Sequence, residues 1–333
     1  MRALRFHGPG SVAVERVTVP EPRPGEVLLR VHACGICGSD RQFVTGSLKA
    51  PATPVTLGHE MAGTVVTSRD SEWPAGSEVV AAPAVHCGSC PRCLADRPML
   101  CERLSMVGID IDGGMAEYAV VPGRALTIKP DTVGWSEAAT AADAGLTACH
   151  AVACRAKVTA GTSVLVIGLG GVGQYALAIA RHLGAAPIIA MDPSPLARTA
   201  SSSLGADELL DTRSVDSRQI KMLTGGGVDT AIDCVGSAAT THLAVMSLRA
   251  GGTAVVVGIG AEPVETIPTV LWARHEYTLT GSFGGHLMDL RQVLQWLSDG
   301  TLPSIATTEL GLDDAPAALL DTAASGRRTI IRP

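Results

Sequence analysis

Over the first 130 residues, short Val-rich runs alternate with clusters of proline and glycine. Val12 to Val19, Glu26 to His32 and Gly63 to Thr67 read as strands, and EPRPGE, APATP and WPAGS break the chain between such runs. The pattern predicts an all-β domain whose chemistry is carried on loops. Near Ser136 the chain changes to an alanine-rich helical stretch, SEAATAADAGLTACHAVACRA. A continuous apolar strand, Ser163 to Gly168, then leads into a helix from Gly173 to Leu183. Strands and helices alternate from there: Pro187 to Met191, a helix from Pro195 to Leu204, Thr230 to Cys234, a helix from Ala239 to Leu248, and Thr253 to Gly258. This rhythm predicts a parallel, doubly wound sheet and an α/β fold. A helix from Leu287 to Ser298 and a strand from Arg328 to Arg332 are expected to rejoin the first domain.

A chain of 333 residues exceeds one typical core, so two domains with a ligand cleft between them are expected. The formal net charge is -6 and no run of lysine and arginine exceeds two residues, which points to a small-molecule substrate rather than nucleic acid or an anionic membrane. The N-terminal arginines precede no apolar segment, and no later stretch has the length of a membrane span, so a cytoplasmic location is expected. Nine cysteines, an odd number, fit metal binding better than disulfides in a reducing compartment.

Cys87, Cys90, Cys93 and Cys101 stand as C-x2-C-x2-C-x7-C on one loop-like stretch. Four thiolates match the closed tetrahedral shell of a structural zinc. An iron–sulfur cluster takes the same ligand number, but no other redox signal accompanies these four, so zinc with a folding role is the expectation. Downstream, Gly168, Gly170 and Gly173 form G-x-G-x-x-G between a strand and a helix. Such a turn lets a pyrophosphate approach the backbone amides at the positive end of the helix, with Leu169, Gly171 and Val172 completing the contact. Asp192 closes the next strand, where a carboxylate accepts hydrogen bonds from ribose hydroxyls and repels a 2'-phosphate. Pro193 and Ser194 follow it, so NAD is expected before NADP, with the nearby Arg198 pulling the other way.

Cys37 in CGICGSD, His59 in LGHE and Asp143 in AADAGLT are unremarkable singly. Together with the four-cysteine stretch and GLGGVG, they make almost the whole chain resemble the zinc-containing medium-chain dehydrogenase/reductase family. That resemblance implies a β-rich GroES-like catalytic domain over 1–144 with a zinc lobe at about 86–102, a Rossmann domain over 145–282, and a C-terminal segment, 283–333, returning to the first domain. It further implies two zincs per subunit, the catalytic one held by Cys37, His59 and Asp143. Glu60 would be an auxiliary or exchanging ligand, and Asp40 the carboxylate that orients His59.

Several further expectations rest on the same resemblance. Thr147, Val257 and Ile259 would line the nicotinamide side, and Arg328 would reach the pyrophosphate, with Arg327 competing for that role. Ser282 and Phe283 would border the cleft, and Ser39 would take the alcohol proton. Gln42 stands where the family often carries histidine and cannot titrate, so it would hold a ribose hydroxyl or a water, and proton exit along a water chain is expected, with no general base named. The CGSD segment leans towards secondary, cyclic or polyol alcohols. Cys34, Cys149, Cys154 and Cys234 are expected as buried filling, and Trp272, Phe43, Leu94, Met106 and Met288 as candidate pocket walls. A homotetramer is expected, with a dimer second. The competing readings are a zinc-bearing reductase of an iminium or conjugated alkene and a non-catalytic dinucleotide-binding protein.

Overall fold

Residues 1–333 are described by a computed structural model, with the exception of 50–51, 261, 265–266 and 322–325. The chain builds two principal sheets, and the alanine-rich stretch packs against both. In the first, Glu26–Gly35 is central. It pairs antiparallel with Glu60–Ser68 on one side, placing Gly35 opposite Glu60, and with Arg328–Arg332 on the other, placing Gly35 opposite Ile330. The C-terminal strand therefore returns to the first domain, as expected, and it brings Thr307–Gly311 with it. Because Gly35 lies between Glu60 and Ile330, residues just after Gly35, just before Glu60 and just before Ile330 all collect at one end of this sheet.

The second sheet has six strands, all parallel. Their order is Glu208–Leu210, Ile188–Met191, Val164–Ile167, Val228–Asp233, Leu248–Val256 and Thr278–Gly281. Val164–Ile167 is fully buried, as a central parallel strand with both faces covered must be. The strand order reverses beside it, which opens the crevice in which doubly wound sheets take their ligands.

The stretch from Trp135 to Arg155 is helical throughout and includes two π-helical segments, Ala141–Gly145 and His150–Arg155. Small alanine side chains let it pack closely on both sides. Ala138, Ala142 and Ala148 are fully buried in one core with Ala33 and Ala62 of the first sheet and Val164 and Val166 of the second. A division at 144 falls inside this continuous helical run.

Three expectations are corrected. The first 130 residues are not all β: a helix occupies Gly38–Thr45, closed by Gly46 at φ 79°, and a short one occupies Pro91–Leu94. The helix expected to reach Leu204 ends at Ala200, where a run of serines follows and the Ser201 hydroxyl donates back to the Ala197 carbonyl. The last long strand of the second sheet begins at Leu248 and ends at Val256, earlier at both ends than the alternation implied.

Candidate metal and cofactor site

At the shared end of the first sheet, Cys37 caps the Gly38–Thr45 helix, and its amide donates to Asp40 Oδ2 at 2.8 Å. His59 is 3% exposed, Asp40 and Glu60 are fully buried, and Asp143 arrives from the π-helical segment Ala141–Gly145. The wider turn of a π-helix redirects side chains and is characteristic of functional sites. One ligand atom from each of Cys37, His59, Glu60 and Asp143 lies within 4.8 Å of the others. His59 Nε2 is 3.6 Å from Asp143 Oδ2, and Cys37 Sγ is 3.7 Å from the same oxygen. Tetrahedral zinc with sulfur at about 2.3 Å and nitrogen or oxygen at about 2.0–2.2 Å sets ligand-to-ligand edges of about 3.3–3.8 Å. The donor set and its spacing fit the ion.

The surroundings prepare these donors. His59 Nδ1 faces Asp40 Oδ1 at 3.4 Å, and neither buried atom has another partner. Thr147 donates to Asp143 Oδ1 at 3.2 Å, leaving Oδ2 towards Cys37 and His59. Burial opposes a charge on His59, but Asp40, Cys37 and Asp143 outweigh it and raise its proton affinity well above the ordinary imidazole value. Burial likewise opposes ionisation of Asp143, yet His59 holds its carboxyl below the usual range. Cys37, Asp40 and Asp143 thus gather around His59 at one point of the fold. Gly35 is required beside them, because a Cβ there would lie 2.0 Å from Glu60 Oε2.

Glu60 and Arg328 pair with each other, a contact between residues far apart in the chain. Both ends of the Arg328 guanidinium bind the Glu60 carboxylate, with Nε to Oε2 at 3.0 Å. Burial would raise the Glu60 pKa, and Arg328 works against that rise. Glu60 is therefore engaged by the arginine, while one of its carboxylate oxygens lies within 4.8 Å of the ligand atoms of Cys37, His59 and Asp143. The same guanidinium lies over the glycine turn: a Cβ on Gly171 would meet Arg328 Nη1 at 2.8 Å. Arg328 thus stands beside the pyrophosphate turn as expected, while its charge is matched by Glu60. Arg327 turns outward and donates to the Thr307 carbonyl.

The glycine turn has the predicted geometry. Gly168 takes φ 88°, and a Cβ on Gly173 would lie 1.8 Å from the Gly168 carbonyl oxygen. Gly170 caps the Gly171–His182 helix with no atom near its missing Cβ, and Val172 is half-buried. Asp192 accepts from the Leu169 amide at 2.8 Å and the Ser194 amide at 2.7 Å, which fixes its carboxylate at the edge of the turn. Arg198 donates to the Asp192 carbonyl at 2.6 Å and pairs with Asp211 at 3.5 Å, and Asp211 also binds Arg213.

Val257 is half-buried and Ile259 is 46% exposed beyond the Leu248–Val256 strand. The Gln42 amide donates to the Ile259 carbonyl at 2.9 Å. Gln42 thus links the Gly38–Thr45 helix to the loop after the Leu248–Val256 strand, a contact between distant parts of the chain. Ser39 is half-buried in the first turn of the Gly38–Thr45 helix. Ser282 is buried with its hydroxyl unpartnered, and Phe283 is 45% exposed.

Of the candidate walls, Phe43 belongs to the core of the first domain, and Trp272 packs on the face of the parallel sheet opposite the helical run, edge-on to Tyr277 at 6.2 Å. Leu94 and Met288 are largely exposed, at 76% and 56%, and Met106 is half-buried in a short strand.

All nine cysteines are free thiols. Cys87, Cys90, Cys93 and Cys101 converge, with Cys90 Sγ 3.5 Å from Cys93 Sγ and 3.9 Å from Cys101 Sγ, and Cys87 Sγ 3.9 Å from Cys93 Sγ. Four sulfurs about 2.3 Å from one zinc would stand about 3.8 Å apart. The Ser89 amide, followed by that of Cys90, donates to Cys87 Sγ and draws its pKa down to about 5. Cys34 and Cys149 are buried, as expected. Cys154 is exposed and Cys234 half-buried, so filling does not describe Cys154.

The sequence matches a family model described as the alcohol dehydrogenase GroES-like domain over residues 23–131 and another described as zinc-binding dehydrogenase over 171–299. The chain is similar to a sorbitol dehydrogenase of Bacillus subtilis, with 31% identity over 291 residues, 85% of this chain and 82% of that one. It is similar to an NAD-dependent alcohol dehydrogenase of Sulfolobus acidocaldarius, with 30% identity over 330 residues, 96% of this chain and 95% of that one. Among solved structures it resembles a zinc-binding dehydrogenase from Sinorhizobium meliloti bound to NADP, at TM-score 0.91 and 31% identity, covering 100% of this chain and 99% of that one. The chain belongs to the zinc-containing medium-chain dehydrogenase/reductase family.

Proposed function

We propose that the protein is a zinc-dependent alcohol dehydrogenase that reversibly oxidises a secondary, cyclic or polyol alcohol with NAD. The observation that carries the reading is the convergence of Cys37, His59 and Asp143 at tetrahedral spacing on the cleft beside the glycine turn. Thiolate, imidazole and carboxylate together carry two negative charges, which balance one divalent zinc. Zinc bound there supplies Lewis-acid stabilisation of the alcohol oxygen as its proton leaves. The nicotinamide cofactor supplies the hydride acceptor.

The chain's own residues do the rest. Asp40 fixes the His59 ring, Thr147 orients the Asp143 carboxylate, and the Ser39 hydroxyl receives the alcohol proton. Gln42, engaged by the Ile259 carbonyl, holds the two sides of the cleft in register. The glycine turn receives the pyrophosphate, and Thr147, Val257 and Ile259 flank the nicotinamide. NAD is proposed ahead of NADP because the Asp192 carboxylate is fixed at the ribose edge, while Arg198 is already matched by Asp211. Zinc in the four-cysteine lobe, a homotetrameric assembly with a dimer second, and a cytoplasmic location belong to the same proposal. Among the described residues, no helix is long and apolar enough to cross a membrane.

The test is NADH formation across a panel of secondary alcohols, polyols and primary alcohols, repeated with NADP. Turnover with NAD on a secondary alcohol or polyol is expected. Reduction of iminium or conjugated alkene substrates without alcohol turnover would favour the reductase reading, and cofactor binding without any turnover the binding protein.

A further inference from the structure

A third group of metal-binding side chains lies outside both sites. His150 and Cys154 are four residues apart on the π-helical segment His150–Arg155, and Asp289 projects from the first turn of the Leu287–Ser298 helix. His150 Nδ1 is 3.1 Å from Asp289 Oδ2, Cys154 Sγ is 3.7 Å from Asp289 Oδ1, and one ligand atom from each residue falls within 4.8 Å of the others. The two separations run to different oxygens of Asp289, and the fit to one ion rests on the set of single ligand atoms, one from each residue, that lie within 4.8 Å of one another. The residues differ in kind, one imidazole, one thiol and one carboxylate, which is the mixed donor set that borderline cations such as zinc and cobalt take.

The site is built rather than incidental. Asp289 is already positioned, because its Oδ2 accepts from the His286 amide at 2.7 Å in a capping box at the helix start. His150 and Asp289 are largely buried, with side-chain exposures of 23% and 12%, while Cys154 is exposed, so a fourth position opens to solvent. His286 also faces Asp96 of the four-cysteine lobe at 3.4 Å, which puts the group at the foot of that lobe.

We propose that His150, Cys154 and Asp289 form a third, exchangeable site for a divalent transition metal, completed by water and tying the interdomain helical run to the C-terminal helix. It is independent of the alcohol dehydrogenase reading, since none of the three residues touches the cluster of Cys37, His59 and Asp143.

The test is equilibrium dialysis of the full-length protein against zinc and cobalt, alongside Cys154→Ser, His150→Ala and Asp289→Asn. In Asp289→Asn the side-chain carbonyl can still accept from the His286 amide, so the helix cap is kept while the ligand charge is lost. The wild type is expected to take up one more equivalent than Cys154→Ser or His150→Ala, at least tenfold more weakly in Asp289→Asn. The increment of thiolate-to-cobalt charge-transfer absorption that accompanies that equivalent should be missing from Cys154→Ser, read as the difference from the wild type. Equal metal uptake by wild type and all variants would overturn the proposal, whether the extra equivalent is absent from all or retained by all. The readout is the difference between proteins, so it stands whatever the occupancy of the other two sites or the outcome of any activity assay.

Discussion

The guanidinium of Arg328 is bound to the carboxylate of Glu60, a partner 268 residues away in the chain, while lying over Gly171 of the cofactor turn. Glu60 is fully buried, and the Arg328 side chain is 10% exposed. One ion pair therefore joins the returning C-terminal strand to Glu60 of the first sheet, beside the glycine turn of the second.

Glu60→Gln leaves the arginine charge buried with its main partner neutral. Breaking a buried pair in this way costs about 3–5 kcal/mol, whereas replacing both partners is far less damaging. Denaturant unfolding of Glu60→Gln is expected to show a loss of that order, partly restored in Glu60→Gln with Arg328→Met. A loss no larger than that of an exposed pair, about 0–1 kcal/mol, would show that water reaches the guanidinium.

The glycines of the turn separate into two kinds. A Cβ at Gly173 would collide with the Gly168 carbonyl, whereas at Gly170 it would meet nothing. Gly173→Ala is expected to lower the melting temperature without any cofactor present. Gly170→Ala is expected to leave it unchanged and to weaken NAD binding, because the added methyl occupies only the space a pyrophosphate would use. Calorimetry of both proteins, with and without NAD, checks this; equal destabilisation of the two cofactor-free proteins would contradict it.

Ser39 and Gln42 should fail differently. Ser39→Ala removes the proposed proton acceptor and is expected to lower kcat about 10²-fold, within the usual range for general acid–base groups. Gln42→Ala removes the link to Ile259 and is expected to raise KM for NAD severalfold with a smaller fall in kcat. Steady-state kinetics of the two variants decides it, and equal losses of kcat would remove Ser39 from the relay.

His32 provides a pH marker away from the site. Burial, then Arg30, lowers its pKa below 6.5, and its Nε2 lies 2.9 Å from the Thr64 hydroxyl. The unfolded chain therefore takes the proton first, so the contribution of His32 to stability is complete above pH 6.5 and is lost as pH falls through that value towards the folded pKa. An NMR titration should place the ring below 6.5, and His32→Gln should reduce the acid-side loss of stability. A midpoint at or above 6.5 would contradict the assignment.

The residues that were legible in the sequence are those whose chemistry is local. Gly168, Gly170 and Gly173 sit within six positions, and the four lobe cysteines within fifteen, so spacing alone constrains them. Cys37, His59 and Asp143 span more than a hundred residues, and only the combination with the other motifs singled them out. What stayed hidden depends on distant pairing. Nothing near Glu60 in sequence announces Arg328, nothing near Gln42 announces Ile259, and the alliance of His150 and Cys154 with Asp289 requires two helices to meet. Helix limits were hidden for a different reason: the serines after Ala200 satisfy backbone groups through their own hydroxyls, which periodicity does not register.

The most direct measurement is zinc content per chain together with NAD-dependent alcohol turnover, for the wild type and for Cys37→Ala, in protein dialysed free of loosely held metal. Two zincs and turnover are expected for the wild type, and one zinc, no turnover and an unchanged fold for Cys37→Ala. Retention of both zincs and of turnover in Cys37→Ala would contradict the assignment of Cys37, His59 and Asp143 as the catalytic metal site.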